Sequence, residues 1–279
     1  MKYNHLVYSY IFSKTKNFFF QNKNLRIINL HHIPEKYFKN LKENIISLKQ
    51  NFDILDPESY FDIILKNREI KRNSILFTFD DGYLSQFNFA KEILELLNIK
   101  AIFFIVTNFA KIEDKNESYN FLKKNIKYNL SNKKIDISLT NMKWDNIKYL
   151  YQKGHVIGAH SLNHLQLTKI KNQKELEEEI LGDRETVSMK IRGDKIINFA
   201  YPFGDIKSIN SSVYKIITKN FVNIFSGVRG NNLVNENKNF IFRRDAIEPD
   251  FNLDLILMFL SGFADFYYKR ASYILDKLK

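Results

Sequence analysis

Ser74-Ile75-Leu76-Phe77-Thr78-Phe79-Asp80-Asp81-Gly82-Tyr83 is an apolar run that ends in two adjacent carboxylates. The run predicts a buried strand over residues 75–79 and sets charge at its end, where burial is expensive. Carboxylates in such a place must be paired, hydrogen-bonded or bound to a metal. A metal needs further ligands, and His160-Ser161-Leu162-Asn163-His164 offers two imidazoles just after a second apolar run, Val156-Ile157-Gly158-Ala159. An Asp with two His is a normal donor set for an open, catalytic divalent ion. A third segment, Phe199-Ala200-Tyr201-Pro202-Phe203-Gly204, closes another apolar run in the same manner.

Outward from these segments the chain alternates short apolar runs with amphipathic stretches. Leu25–Leu30 and residues 101–106, 196–200 and 221–225 are predicted as further buried strands. Between them, residues 85–97 place Phe89, Ile93, Leu96 and Leu97 on one helical face. Residues 172–191 begin with an Asn cap and carry Glu177, Glu178 and Glu179 on a mostly solvated side. Strands alternating with helices indicate parallel βα units, and a chain of 279 residues can bury one substantial core. Residues 111–139 are polar, basic and weakly periodic, which predicts a loop or small insertion capping the site. In residues 251–279, Leu255, Phe259, Phe263, Phe266 and Tyr267 recur at near-helical spacing and predict a final amphipathic helix packed on the core.

Lys and Arg number 43 against 31 Asp and Glu, and the net charge of +12 suits an anionic partner such as a membrane surface or an acidic glycan. The lysines are scattered and no nucleic-acid-binding fingerprint occurs, so no nucleic-acid partner is expected. The absence of cysteine excludes a disulfide framework and a thiolate metal site. In the first twenty residues Asn4, His5, Ser9 and Ser13 interrupt any apolar core and no small-residue cleavage site follows, so no secretory signal is expected. The most apolar stretch, residues 255–260, is too short to cross a bilayer. The expectation is a cytoplasmic protein; for the basic, aromatic C-terminal segment the alternative to packing on the core is peripheral contact with an anionic inner membrane face.

Taken together and in order, TFDDG at 78–82, HSLNH at 160–164 and YPFG at 201–204 resemble the signature motifs of the NodB-like polysaccharide deacetylases, carbohydrate esterase family four. The resemblance extends to Leu30-His31-His32 and to Phe242-Arg243-Arg244-Asp245-Ala246-Ile247, so it covers most of the chain. It implies an α/β fold, a distorted (β/α) barrel, as a single domain over 1–279 with its catalytic core at about 25–250. It implies that Asp81, His160 and His164 hold a divalent metal, zinc foremost, and that Asp80 is the general base. The backbone N–H of Phe203 matches the family's oxyanion donor.

Two positions depart from the family pattern. Many members carry an Arg where this chain has Ala200; Arg244 is the candidate substitute for orienting the base, the alternative being a surface arginine. No His follows His164, so His32 is the candidate general acid, the alternative being a structural hydrogen bond at a strand end. Its neighbour His31 should point to the opposite face. The implied activity is hydrolytic removal of an N-acetyl group from an amino sugar of a polysaccharide or glycan precursor. The alternatives are loss of an N-formyl or O-acetyl group from a carrier-linked sugar, or an inactive carbohydrate-binding protein that keeps the metal site.

Overall fold

The computed structural model describes residues 23–66, 68–127, 136–193, 196–233 and 241–278. The targeting signals sought in the first twenty residues lie outside these. Nine strands are described: β1 (Leu25–Leu30), β2 (Phe52–Ile54), β3 (Asn73–Phe79), β4 (Ile102–Ile105), β5 (Val156–Ala159), β6 (Asn198–Ala200), β7 (Asn223–Phe225), β8 (Ile241–Phe242) and β9 (Asp245–Ala246). They form one sheet in the order β8-β7-β6-β5-β4-β3-β1-β9, with β2 also paired to β3, and every pairing is parallel.

Closure comes from the last two strands. Only Arg243 and Arg244 separate β8, which pairs with β7, from β9, which pairs with β1. Segment 241–246 therefore joins the two ends of the strand order and curls the sheet into a barrel. Distortion enters at β3, whose first half pairs with β2 and whose second half pairs with β4. β2 and the β8–β9 segment are too short to register as apolar runs.

Strand alternation divides the core. Ile75, Phe77 and Phe79 pack with helix residues such as Phe89 and Ile93, whereas Leu76 joins Ile27, Phe104, Phe225 and Phe242 in a second cluster. That second cluster is the barrel interior, because Phe104 of β4 meets Phe225 of β7 at 4.9 Å across strands that are not neighbours. Tyr60 and Phe61 of the Pro57–Leu65 helix plug it, at 6.0 Å from Phe242 and 6.2 Å from Phe225 respectively. By the same alternation Leu76, Thr78 and Asp80 share the inward face, so the first carboxylate is delivered to the barrel mouth.

Three local expectations are corrected. The helix after Tyr83 runs as Leu84–Phe89 and then takes a π turn over Ala90–Leu94, which inserts a residue and rotates the face. Leu94 is consequently buried and Leu96 is exposed. The insertion at 111–139 is not only loop: Asp114 caps a helix at Lys115–Phe121, and Tyr119 and Leu122 pack with Tyr83, Phe109 and Leu139 in a small core of their own. The C-terminal segment is not one helix, since it breaks at Gly262 (φ 84) into Leu253–Leu260, a 3-10 turn and Lys269–Asp276. Leu255 and Phe259 are buried as expected, but Phe266 and Tyr267 face solvent. Among the described residues no helix is long and apolar enough to cross a membrane.

Buried charge locks this segment to the barrel. Arg26, fully buried on β1, donates to both carboxylate oxygens of Asp245 at 2.8 and 2.9 Å and to both of Asp265 at 2.7 and 2.9 Å. Burial alone would depress the Arg26 guanidinium, but Asp245 and Asp265 outweigh it and hold it above its ordinary value. Arg243 reaches Ser272 and Asp276 on the last helix. Removing one member of such a buried group costs about 3–5 kcal/mol, so 241–246 is a rigid seam.

Candidate active site

The seam decides where Arg244 points. Along it, Asp245 turns to Arg26 on one side, and Arg244 turns to Asp80 on the other. Arg244 forms a fork on Asp80, Nη1 to Oδ1 at 2.7 Å and Nη2 to Oδ2 at 2.8 Å, while its Nε donates to the Ser226 carbonyl at 2.8 Å. Asn29 of β1 adds Nδ2 to Asp80 Oδ2 at 2.9 Å. Burial would raise the Asp80 carboxyl, but Arg244 and then His160 outweigh it and hold it far below the usual carboxylate range. Asp80 is therefore an ionised carboxylate at every working pH.

Asp81 is held differently. It takes φ 79, a left-handed conformation that costs a non-glycine residue about 1–3 kcal/mol, and this turns its side chain toward the two imidazoles. Its Oδ1 is buried without a hydrogen-bond partner, 3.5 Å from His160 Nε2 and 3.3 Å from His164 Nε2. His160 Nδ1 lies 2.8 Å from the Ala200 carbonyl and His164 Nδ1 lies 3.4 Å from that of Asn125. Each ring thus has its Nδ1–H placed against a carbonyl, which leaves both Nε2 lone pairs facing Asp81. One ligand atom from each of Asp81, His160 and His164 lies within 4.8 Å of the others, and all three residues are buried. A buried carboxylate oxygen without a hydrogen-bond partner, facing two ring nitrogens, fits a divalent cation. Burial pushes His164 down to about 4 against the pull of Asp81, so it is the neutral, ligating form near neutral pH.

The loop carrying the histidines rests on two buried acids of the Gln173–Ile191 helix. Glu179, expected on the solvated side, is only 4% exposed and accepts from Ser161 Oγ, Asn163 N and Asn163 Nδ2 at 3.1, 2.6 and 2.9 Å. Asp183, one turn on, accepts the His160 N–H at 2.8 Å and both the N–H and hydroxyl of Thr107. Burial pushes the Asp183 carboxyl up to about 7 despite these donors. Helix periodicity gave a partial signal for the pair, since they are i,i+4, but their partners are distant in sequence.

Phe203 also has positive φ (63), as do Ser161 (65) and His164 (55). With Asp81 these make four of the seven described non-glycine residues with positive φ, and strain held in a site's turns points to function; Asn98, Lys127 and Arg192 lie outside those turns. The Phe203 ring stands 4.6 Å from His164, and its backbone faces the turn that Gly204 closes by accepting from Gly227 N–H at 2.7 Å.

The structure brings Asp80, Asp81, His160, His164, Phe203 and Arg244 to one mouth, but it treats the expected acid otherwise. His32 is taken up by the returning insertion: its Nε2 meets Ser138 Oγ at 3.1 Å and its ring packs on Tyr83 at 5.7 Å. His31, whose side chain is 45% exposed, has its Nε2 4.0 Å from Asp80 Oδ2. His31 is thus the histidine beside Asp80 and His32 the one held by the insertion, because consecutive residues leave the strand on opposite sides.

A parallel barrel with an arginine-paired carboxylate and an Asp-His-His cluster at its mouth is the architecture of a class of hydrolytic enzyme. Residues 67–220 match the sequence family described as polysaccharide deacetylase, and the chain belongs to that family of hydrolases. No curated protein matches the chain. Among solved structures it is similar to IcaB from Ammonifex degensii, at 18% identity and TM-score 0.67 over 86% of this chain and 98% of that one. It is also similar to the deacetylase PplD of Streptococcus pyogenes, solved with acetate, at 15% identity and TM-score 0.64 over 85% and 97%. A de-N-acetylase from Aggregatibacter actinomycetemcomitans aligns at 15% identity and TM-score 0.63 over 85% and 100%. These likenesses show the shared barrel fold.

Proposed function

We propose that the protein is a metal-dependent hydrolase that removes the N-acetyl group from an amino sugar of a polysaccharide or glycan precursor. Asp81, His160 and His164 would hold the ion, and zinc suits the mixed carboxylate and imidazole donors. Such an ion supplies a Lewis acid for the amide carbonyl and makes water acidic enough to give up a proton at neutral pH. The second property matters here, because a carboxylate stabilised as strongly as Asp80 is a weak base toward ordinary water. Arg244 and Asn29 hold Asp80 in place to take that proton. The Phe203 N–H donates to the oxygen that becomes negative as water adds to the carbonyl carbon. His31 gives a proton to the nitrogen as the C–N bond breaks, so that amide and water become acetate and a free amine.

The observation that carries this reading is the orphaned Asp81 Oδ1 between two imidazoles, directly after a carboxylate that Arg244 keeps ionised. The Asp80–Arg244 fork holds in place a carboxylate that is not one of the proposed metal ligands, which supports an enzyme over a carbohydrate-binding protein. The test is metal analysis of purified protein together with acetate release from N-acetylated amino sugars. Asp80→Asn should keep the metal and lose hydrolysis by about two to four orders of magnitude. Loss of metal in that variant, or no acyl release by metal-loaded parent, would overturn the assignment; formate in place of acetate would move it to a deformylase.

A further inference from the structure

Beside the proposed metal ligands the mouth opens into a groove of about 480 Å³, with His164 and Phe203 at its inner end. Among the described residues, Lys124, Lys127, Lys169 and Lys171 line it against one carboxylate, Glu175. Some lysines elsewhere pair with acids, as Lys66 does with Asp62 at 2.7 Å and Lys143 with Glu113 at 3.5 Å, and many do not; what sets this groove apart is that four line one cleft beside the proposed metal ligands. None of the four groove lysines has a carboxylate within 4.0 Å among the described residues. The positive charge also runs up to the reacting centre. Lys127 Nζ stands 4.9 Å over the Phe203 ring, and that ring stands 4.6 Å from His164.

Four uncompensated ammonium groups in one groove repel each other, and an anion there removes that cost. Several lysine point charges favour the group with the greater negative charge, and a phosphate monoester carries about −1.5 to −2 near neutral pH against about −1 for a carboxylate. Resting on the deacetylase reading, we propose that the substrate is an acylated amino sugar bearing a phosphate, held in this groove while its amide lies at Asp81, His160 and His164. The groove then acts as a specificity site: it selects sugars still joined to phosphate over neutral glycan chains. In a reaction sequence, a step that forms a sugar phosphate or phosphodiester would supply this substrate.

The test uses the full chain loaded with the divalent ion and three substrates: N-acetylglucosamine 1-phosphate, its uncharged methyl glycoside, and a disaccharide joining N-acetylglucosamine to glucuronate. The expected result is a kcat/KM for the phosphate that exceeds the glycoside by about tenfold or more at low ionic strength and converges on it as salt is added. The combined Lys124→Gln, Lys127→Gln, Lys169→Gln and Lys171→Gln variant should bring that ratio close to unity. A ratio near unity in the parent, or one unchanged in the variant, overturns the inference. Equal preference for the glucuronate overturns phosphate as the recognised group. Calorimetric binding of inorganic pyrophosphate gives a readout that needs no turnover. Pyrophosphate bound by the parent and lost in the variant, with no acetate released from any sugar, would support the groove and sink the deacetylase reading. Hydrolysis of the glycoside without pyrophosphate binding would do the reverse.

Discussion

Arg244→Met removes the fork on Asp80 while keeping an apolar stem between Phe104 and Phe225, whose rings lie 5.3 and 5.9 Å from the guanidinium carbon. The Asp80 and Arg244 side chains are 4% and 1% exposed, so solvent cannot replace what is lost. Asp80 would retain the Asn29 amide and lose two charge-assisted hydrogen bonds of about 1.5–3 kcal/mol each. An unpaired buried carboxylate puts the net cost at about 3–5 kcal/mol. Part of that cost is relieved by protonation. In the parent, Arg244 outweighs burial and keeps Asp80 low; in the variant burial is left opposed mainly by His160, and the carboxyl rises. Urea denaturation at neutral pH measures the first effect, and the second appears as an acidic limb of kcat/KM displaced to higher pH. Stability follows the same sign: the parent's Asp80 contribution is complete above the unfolded carboxyl value and is lost as pH falls below it, whereas the variant gains relative stability on acidification. Activity should fall about a hundredfold from misplacement of the base, and Arg244→Lys, which keeps charge but not the fork, should recover only part of it. Destabilisation under about 1 kcal/mol with an unmoved acidic limb would refute the view that Arg244 holds and tunes Asp80.

His31→Gln should lower kcat with little effect on stability, while His32→Gln should affect stability through its Ser138 and Tyr83 contacts; the opposite pattern would return the acid to His32. His155, pushed down to about 4 by burial and then by Lys100, accepts the Ala101 N–H at Nδ1 and must stay neutral to do so. Its folded value lies below the unfolded one, so stability should fall by about 3 kcal/mol as pH drops from about 6.5 to about 4, and His155→Gln should flatten that part of the denaturation profile. We propose peripheral contact with an anionic membrane through Phe266, Tyr267 and Tyr273, which are 68%, 50% and 62% exposed beside Lys269, Arg270 and Lys277. Sedimentation with anionic vesicles that weakens with salt would agree with it, and no binding at low salt would exclude it.

What the sequence determined by itself was six of the nine described strands and the candidate reacting groups. Ser74 to Phe79, Val156 to Ala159 and Phe199-Ala200 announce strands because each buries both faces, and Asp80, Asp81, His160 and His164 stand out because charge at the ends of such runs needs a reason. Period and burial are local properties, so they survive in one dimension. Only the tertiary structure decided which side each group faces. Arg244 reaches Asp80 because β8 and β9 pair with opposite ends of the sheet and Arg26 anchors Asp245 behind them, a choice made by partners more than two hundred residues apart. His31 and His32 are equivalent as letters; the returning insertion at Ser138 claims one and leaves the other at the mouth. Glu179 looked solvated on a helix of mixed charge and is buried because the His160–His164 loop lies over it. Pairing between distant segments and the sign of a side chain's direction are set by closure of the barrel, and no local pattern encodes closure.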